Sequence, residues 1–121
     1  MKKLVRLNLE RIFHGAHFIP NHKGQCKHLH GHSYRVIVSL SGMHDTQKGI
    51  FVDFGDIKEV IDRFDHWNAN RILKFPSAEN MSRFFAIKFL RMNREIIEST
   101  VTVFETENSS ATTTIINSSI N

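Results

Sequence analysis

The sequence predicts an α+β protein with the element order β-β-α-α-β-β, and two kinds of periodicity carry that prediction. Apolar and polar residues alternate with period two in segments near both ends of the chain, which indicates strands. Between them, residues 54–64 and 81–92 repeat apolar side chains at helical spacing. This order is typical of an antiparallel sheet with both helices on one face. Such a sheet has exposed edges, which a monomer must shield or an oligomer must pair.

The strands follow from alternation and β propensity. In the first, Ile12 falls on the polar parity, which predicts a bulge or bend near Glu10-Arg11. The small residues that follow, Gly15 and Ala16, leave room for a close approach to the backbone. The second strand places Tyr34, Val36, Val38 and Leu40 on one face. We predict strands at residues 4–13, 33–41, 100–106 and 112–116.

The helix starts are marked by capping residues. Asp53 is a favourable N-cap for the first helix, and Ser77 is one for the second. Glu79 lies in the first turn of the second helix, where a negative charge is stabilising. Methionine and phenylalanine dominate this second helix, so we expect it to be largely buried.

The composition indicates one soluble domain over residues 1–121. No apolar run approaches the roughly 18 residues of a membrane span. Cys26 is the only cysteine, so no internal disulfide forms, and we expect a cytoplasmic protein. The net charge of +4 suits an anionic partner, or simply solubility. Because the basic residues are scattered, a small phosphorylated substrate fits better than nucleic acid.

Three histidines and the only thiol fall within the stretch Cys26-Lys27-His28-Leu29-His30-Gly31-His32. If the second strand already begins near His30, then His30 and His32 point to the same face. Two such imidazoles need a third ligand to hold Zn²⁺ with an open position, and the end of the first strand offers His17 or His14. Zinc is favoured over iron because no carboxylate of a facial triad is obvious nearby. A loop of solvated histidines without a metal is the alternative.

Three other groups are candidates for chemistry. Cys26 lies among polar and positive neighbours, which favours its thiolate, although a lone cysteine is more often a buried apolar residue. The Asp65-His66 pair suits a carboxylate that tunes an imidazole, or is a solvated helix end. Glu105 ends an apolar strand, where burial is costly unless the carboxylate meets a cationic or N–H-rich ligand. The alternative is that the strand surfaces there.

These segments together resemble the 6-pyruvoyl-tetrahydropterin synthase superfamily over nearly the whole chain. The family's Phe-x-Ala-Ala-His is matched by Phe13-His14-Gly15-Ala16-His17, and its Cys ahead of His-Gly-His by residues 26–32. Its Val-x-Asp-Phe, Leu-Asp-His, Pro-Thr-x-Glu-Asn and late Glu-Thr correspond to Phe51-Val52-Asp53-Phe54, Phe64-Asp65-His66, Pro76-Ser77-Ala78-Glu79-Asn80 and Glu105-Thr106.

The resemblance implies a role for each matched residue. It implies His17, His30 and His32 as zinc ligands, and Cys26 as catalytic base or nucleophile. Asp65 and His66 would handle protons, and Glu105, with Thr106, would bind the pterin through its ring N–H groups and 2-amino group. The implied fold is the tunnelling fold, in which subunits pair strands into a barrel and two rings stack. This implies a homo-oligomer, a trimer-based hexamer, with active sites between subunits and no membrane partner.

The three residues between Cys26 and His30 resemble the 6-carboxytetrahydropterin synthase branch, which serves queuosine synthesis. The implied reaction converts 7,8-dihydroneopterin 3'-triphosphate to 6-carboxy-5,6,7,8-tetrahydropterin, releasing acetaldehyde and triphosphate. Lys27 and His28 are candidate triphosphate contacts, together with Lys23. The alternatives are a 6-pyruvoyl-tetrahydropterin synthase, which eliminates triphosphate from the same substrate, and a zinc- or pterin-binding module without catalysis. The chain departs from the family pattern at His14, Gly15, Phe18 and Ala69, which bears on substrate fit rather than on zinc binding.

Overall fold

The computed structural model describes residues 1–117, so residues 118–121 of the predicted domain lie outside it. Within the described range the chain forms four strands and two α-helices in the predicted order. The strands form one antiparallel sheet in the order β1-β2-β3-β4. The bounds are β1 Lys2–His17, β2 His30–Asp45, α1 Phe54–Asp62, α2 Ala78–Leu90, β3 Ile96–Thr106 and β4 Ser109–Ile116.

One apolar core joins both helices to a single face of the sheet. Tyr34, Val36, Val38 and Leu40 of β2 are fully buried in it, as their alternation predicts. The predicted burial of α2 is confirmed for one side of that helix, which packs on β3 and β4. Both predicted N-caps are present, because Asp53 accepts a hydrogen bond from the Gly55 N–H and Ser77 accepts one from the Asn80 N–H.

The first strand differs from the prediction in two ways. It runs on to His17, and its pairing with β2 continues without a register shift, so the bulge expected near Glu10-Arg11 is wrong. Ile12 instead stays on the outer face of the sheet, where its side chain is 56% exposed. Arg11 lies on the face of the sheet that packs against the helices, where its guanidinium pairs with the carboxylate of Asp62 in α1. The Nε–Oδ1 and Nη2–Oδ2 distances are 2.9 and 2.7 Å. A distant partner therefore keeps the strand regular.

Two glycines allow close backbone contacts. A side chain at Gly42 would place its Cβ 2.0 Å from the Glu95 carbonyl oxygen. Only glycine, which has no Cβ, therefore lets β2 pass this close to the residue before β3. The sheet register shifts at this point, between Ser41 and Gly42. A Cβ at Gly15 would lie 3.1 Å from the Phe64 carbonyl oxygen. The room predicted at Gly15 therefore admits the end of the α1 segment.

The segment after α1 extends the sheet beyond β1. The His66 N–H donates to the His14 carbonyl at 2.6 Å, and the Ala16 N–H donates to the Trp67 carbonyl at 3.1 Å. Asn68 then forms a parallel bridge with Ala16. These bonds bring the Asp65-His66 pair to the end of β1 that also carries His17.

Candidate functional site

Four side chains from three strands converge at one end of the sheet. His17 ends β1 and faces His30, its register partner at the start of β2. His32 follows on the same face of β2, and Glu105 reaches the group from the end of β3. One ligand atom from each of the four residues lies within 4.8 Å of the others. We call these four residues the ligand group; it brings together all three predicted zinc ligands and Glu105.

A β-bulge positions the carboxylate. The pairing of β3 with β4 shifts between Phe104 and Thr106, which leaves Glu105 outside the regular register. Bulges of this kind redirect side chains beside active sites. The Glu105 Oε1 atom lies 3.0 Å from His17 Nε2 and 3.6 Å from His32 Nε2.

Backbone carbonyls orient two of the imidazoles. His17 Nδ1 lies 2.6 Å from the Pro76 carbonyl oxygen, and His30 Nδ1 lies 2.7 Å from the His28 carbonyl oxygen. Since a carbonyl only accepts hydrogen bonds, each Nδ1 carries a proton, so Nε2 is the atom that each ring can offer as a metal ligand. Metal-binding histidines are oriented in this way.

The group fits a metal ion by its own chemistry. His17 Nε2 and His30 Nε2 lie only 3.0 Å apart, although both rings already donate from Nδ1. A cation bound to both Nε2 atoms would satisfy two lone pairs that otherwise lie close together. His32 Nε2 is also buried and has no hydrogen-bond partner among the described residues. Three imidazole nitrogens and a carboxylate oxygen are donors that zinc accepts.

Burial also keeps the site in the state that binds a metal. The pKa of His32 is lowered, chiefly because burial disfavours its charged form; the Glu105 charge opposes this shift, and His17 and His30 add to it. His32 is therefore neutral at pH 7. Below it, Tyr34 is fully buried and its ring lies 5.4 Å from that of His32. Burial, and then the charge of Glu105, raises the pKa of Tyr34, so it forms a neutral wall of the site.

The predicted catalytic thiol lies outside the ligand group. Cys26 sits in a short 3-10 helix, Gln25–Lys27, and is partly buried. Its carbonyl accepts a hydrogen bond from the Ile19 N–H at 2.7 Å, which ties the loop to the end of β1. Lys27 and His28 are exposed beside it. These loop residues therefore precede His30 closely in the sequence, but Cys26 is not a member of the ligand group.

Asp65 and His66 form a second group with its own geometry. Asp65 Oδ2 lies 3.0 Å from His66 Nδ1, and Asp65 Oδ1 accepts the His14 N–H at 2.9 Å. These hydrogen bonds, that from the His14 backbone first, lower the pKa of Asp65, so it stays ionised. His66 has a left-handed backbone, with φ of 55°, which its hydrogen bond to His14 holds in place.

A cavity of about 570 Å³ opens beside this pair. Its lining connects the two groups, since it includes His32 as well as His66. Sequence reasoning missed the pair formed here by His14 Nδ1 and Ser33 Oγ, which lie 2.9 Å apart. The β1–β2 register that opposes these two residues was the signal that could have found it.

Thr106 plays a local role in the described structure. Its hydroxyl accepts the Asn108 N–H at 3.4 Å in the turn between β3 and β4. It belongs to neither the ligand group nor the cavity lining.

In the part of the chain that the structure describes, no helix is long and apolar enough to cross a membrane.

Comparison with solved structures identifies the class of fold. The 6-pyruvoyl tetrahydropterin synthase of Caenorhabditis elegans superposes with a TM-score of 0.71 over 96% of this chain and 97% of its own length, at 24% identity. The predicted tunnelling fold is thereby confirmed.

Comparison of sequences then gives the family. A sequence profile described as 6-pyruvoyl tetrahydropterin synthase matches residues 6–115, so the chain belongs to that family. A relative from Archaeoglobus fulgidus named putative 6-carboxy-5,6,7,8-tetrahydropterin synthase is 35% identical over 67% of this chain and 72% of its own length. The 6-carboxy-5,6,7,8-tetrahydropterin synthase of Haemophilus influenzae is 32% identical over 52% of this chain, but the match spans only half of that protein. The predicted family and the expectation of an enzyme are confirmed.

Proposed function

We propose that the chain is a zinc-dependent lyase that converts 7,8-dihydroneopterin 3'-triphosphate to 6-carboxy-5,6,7,8-tetrahydropterin, releasing acetaldehyde and triphosphate, in queuosine biosynthesis. The ligand group carries this proposal, since it brings four side chains that could hold a metal ion close together in a chain of this family. The names of the two sequence relatives support the carboxy-forming reaction over others. A cytoplasmic location stays a prediction from the single cysteine.

The metal is assigned to the three histidines. His17, His30 and His32 would hold Zn²⁺, leaving a position open for substrate. When bound, Zn²⁺ supplies a Lewis acid for the side-chain oxygens of the substrate. Glu105 lies beside this position and would accept hydrogen bonds from the pterin ring N–H groups and 2-amino group, with Thr106 next to it.

The proton transfers are assigned to groups outside the metal ligands. Asp65 Oδ2 lies 3.0 Å from His66 Nδ1 and fixes the orientation of the ring, so the exposed His66 is placed to take up and return a proton. Cys26 would act as base or nucleophile at the substrate side chain. Lys27 and His28 are exposed on the same loop, where they can meet the triphosphate.

We further propose a homo-oligomer, a trimer-based hexamer, with active sites between subunits. Cys26 belongs neither to the ligand group nor to the lining of the cavity at His66. A neighbouring subunit would supply Asp65 and His66 to the site that holds Cys26. Strand β4 and the part of β1 before His14 are edges of the described sheet that could pair with strands of other subunits.

Product analysis tests the reaction. The purified, zinc-loaded protein is incubated with dihydroneopterin triphosphate, and the pterin, acetaldehyde and triphosphate are measured. The proposal requires acetaldehyde and 6-carboxytetrahydropterin in equal amounts. The family description favours one other reaction, formation of 6-pyruvoyl-tetrahydropterin, which releases triphosphate without acetaldehyde.

The variant Cys26→Ala tests whether catalysis uses this thiol. We expect turnover to fall by about 100-fold or more, the contribution of a positioned acid or base, with zinc content unchanged. Unchanged turnover would remove Cys26 from the mechanism. No turnover in the native protein, with zinc and pterin both bound, would favour a binding module.

A further inference from the structure

A long groove on the outer side of the helices has no role in the proposed reaction. It consists of two adjoining cavities of about 530 and 350 Å³ that share Phe84 and Ile87. Val60 of α1 and Met92, just after α2, add to its apolar lining at one end, and Leu73 and Phe75 at the other. Phe75 is 38% exposed. We call this surface the helix groove.

The charged residues of the helix groove all have the same sign. Its lining contains four basic residues and no acidic one. Within residues 1–117 none of the four forms an ion pair with a carboxylate. The chain as a whole carries sixteen basic and twelve acidic residues, a net charge of +4. The four positive charges of this surface equal that net charge. The four residues are Lys74, Arg83, Lys88 and Arg91.

We propose that the helix groove binds an acidic amphipathic helix of another protein. An apolar floor with basic residues on its rim matches a helix that buries aliphatic or aromatic side chains and presents carboxylates on both flanks. Arg83 and Arg91 are eight residues apart on α2 and its end, which is about 12 Å along a helix axis. A partner helix of about three turns spans that distance.

Two features favour a protein partner over a nucleic acid. Four of the six apolar lining residues are aliphatic, and aliphatic side chains give bases no ring to stack on. Of the two rings in the lining, Phe84 is already packed against Phe64 and Phe85, which leaves Phe75 as the one ring less engaged with the core. The groove is also concave, so it can enclose side chains of a helix. Strand pairing at the edges of the sheet would leave the groove accessible, because its lining comes from the helices and the segment before α2.

A display library of helical peptides of about 15 residues, selected on the full-length protein, tests the proposal. We expect the selected peptides to carry apolar residues at i, i+3 or i+4 and i+7, flanked by Asp or Glu. A synthetic peptide from the selection should bind the variant R83S/K88S/R91S at least about tenfold more weakly than the native protein, as measured by fluorescence anisotropy.

The matched control is K2S/K3S/K48S, which removes the same charge from exposed lysines outside the groove. It should bind the peptide as the native protein does, and circular dichroism should show both variants folded. The proposal is overturned if no acidic amphipathic peptide is selected, or if both variants lose binding equally. It is also overturned if single-stranded poly(U) RNA, and no peptide, binds in a way that depends on the groove residues.

Discussion

The ligand group and the Asp65-His66 pair lie near the same end of β1, but they differ in burial and in how firmly the rest of the chain holds their side chains. His17 is completely buried, and its Nδ1 donates a hydrogen bond to the Pro76 carbonyl oxygen. His66, in contrast, has a side chain that is 79% exposed and only Asp65 to orient it. The ligand group is therefore preorganised within one chain. The pair has its internal geometry fixed, yet its outer face is free for a substrate or another subunit.

The difference separates two requirements of the proposed reaction. Holding a metal needs several ligands at fixed short distances, which burial and carbonyl contacts provide. Moving a proton needs an accessible imidazole in a fixed orientation, which the exposed pair provides. Substitutions in the two groups should therefore affect different measurements.

The largest effect is expected for His30→Ala, which removes one of the three imidazoles. We expect zinc to fall from about one ion per chain to less than a tenth of that, because two histidines leave a site of low affinity. Elemental analysis of the purified variant measures this. His28→Ala is the matched control, since it keeps the backbone carbonyl that orients His30. Full zinc content in His30→Ala would contradict the assignment of the site.

Glu105→Gln sharpens the boundary of the ligand group. If the carboxylate anchors the pterin, zinc should remain near one per chain while KM rises by about 10- to 150-fold, the loss of a charged hydrogen bond. Steady-state kinetics and metal analysis on the same sample measure both. Glu107→Gln, in the exposed turn two residues later, should change neither. Loss of zinc from Glu105→Gln would instead make this carboxylate a metal ligand.

Asp65→Asn should affect kinetics and spare the metal. The amide accepts a weaker hydrogen bond from His66 Nδ1 than the carboxylate does, so His66 is held less firmly and we expect kcat to fall by up to about 100-fold with unchanged zinc content. Asp62→Asn removes a neighbouring carboxylate that pairs with Arg11 and is the control. A drop in zinc for Asp65→Asn would show that the two groups are not separable.

The smallest effect concerns the pH dependence of stability. The pKa of Asp65 is lower in the folded chain than in the unfolded one, so its ionised form stabilises the fold. This contribution is complete above the unfolded pKa of about 3.9 and is lost as the pH falls through the lower folded value. Carbon NMR titration of the Asp65 carboxyl group should give a midpoint in the folded protein below that of the same group in the denatured chain. An equal or higher midpoint would contradict the hydrogen bonds seen at Asp65.

Local signals in the sequence predicted much of the fold. Asp53 and Ser77 cap their helices through residues two and three positions away, so their roles can be read directly from the chain. The regular register of β1 at Arg11 could not be predicted in this way, because the carboxylate that pairs with Arg11 lies 51 residues later.

In the candidate site, too, the features set by nearby residues could be predicted, and those set by contacts between distant segments could not. The spacing of His30 and His32 on one strand predicted a shared face, and resemblance to a family added His17. The approach of Glu105 to these histidines depends on a bulge in the pairing of β3 with β4, which no local pattern announces. The His14–Ser33 contact likewise depends on the register between two strands.

The contact between His17 and the Pro76 carbonyl connects the proposed metal site to a distant element. Pro76 directly precedes Ser77, the N-cap of α2, so the same backbone segment orients a proposed metal ligand and begins a helix of the core. Metal affinity and local folding are then thermodynamically linked, because a ligand that binds the ordered site stabilises whatever orders it. Removing the metal should therefore speed amide hydrogen exchange in the first turn of α2 before it affects β3. The helix would act as a reporter of metal loading.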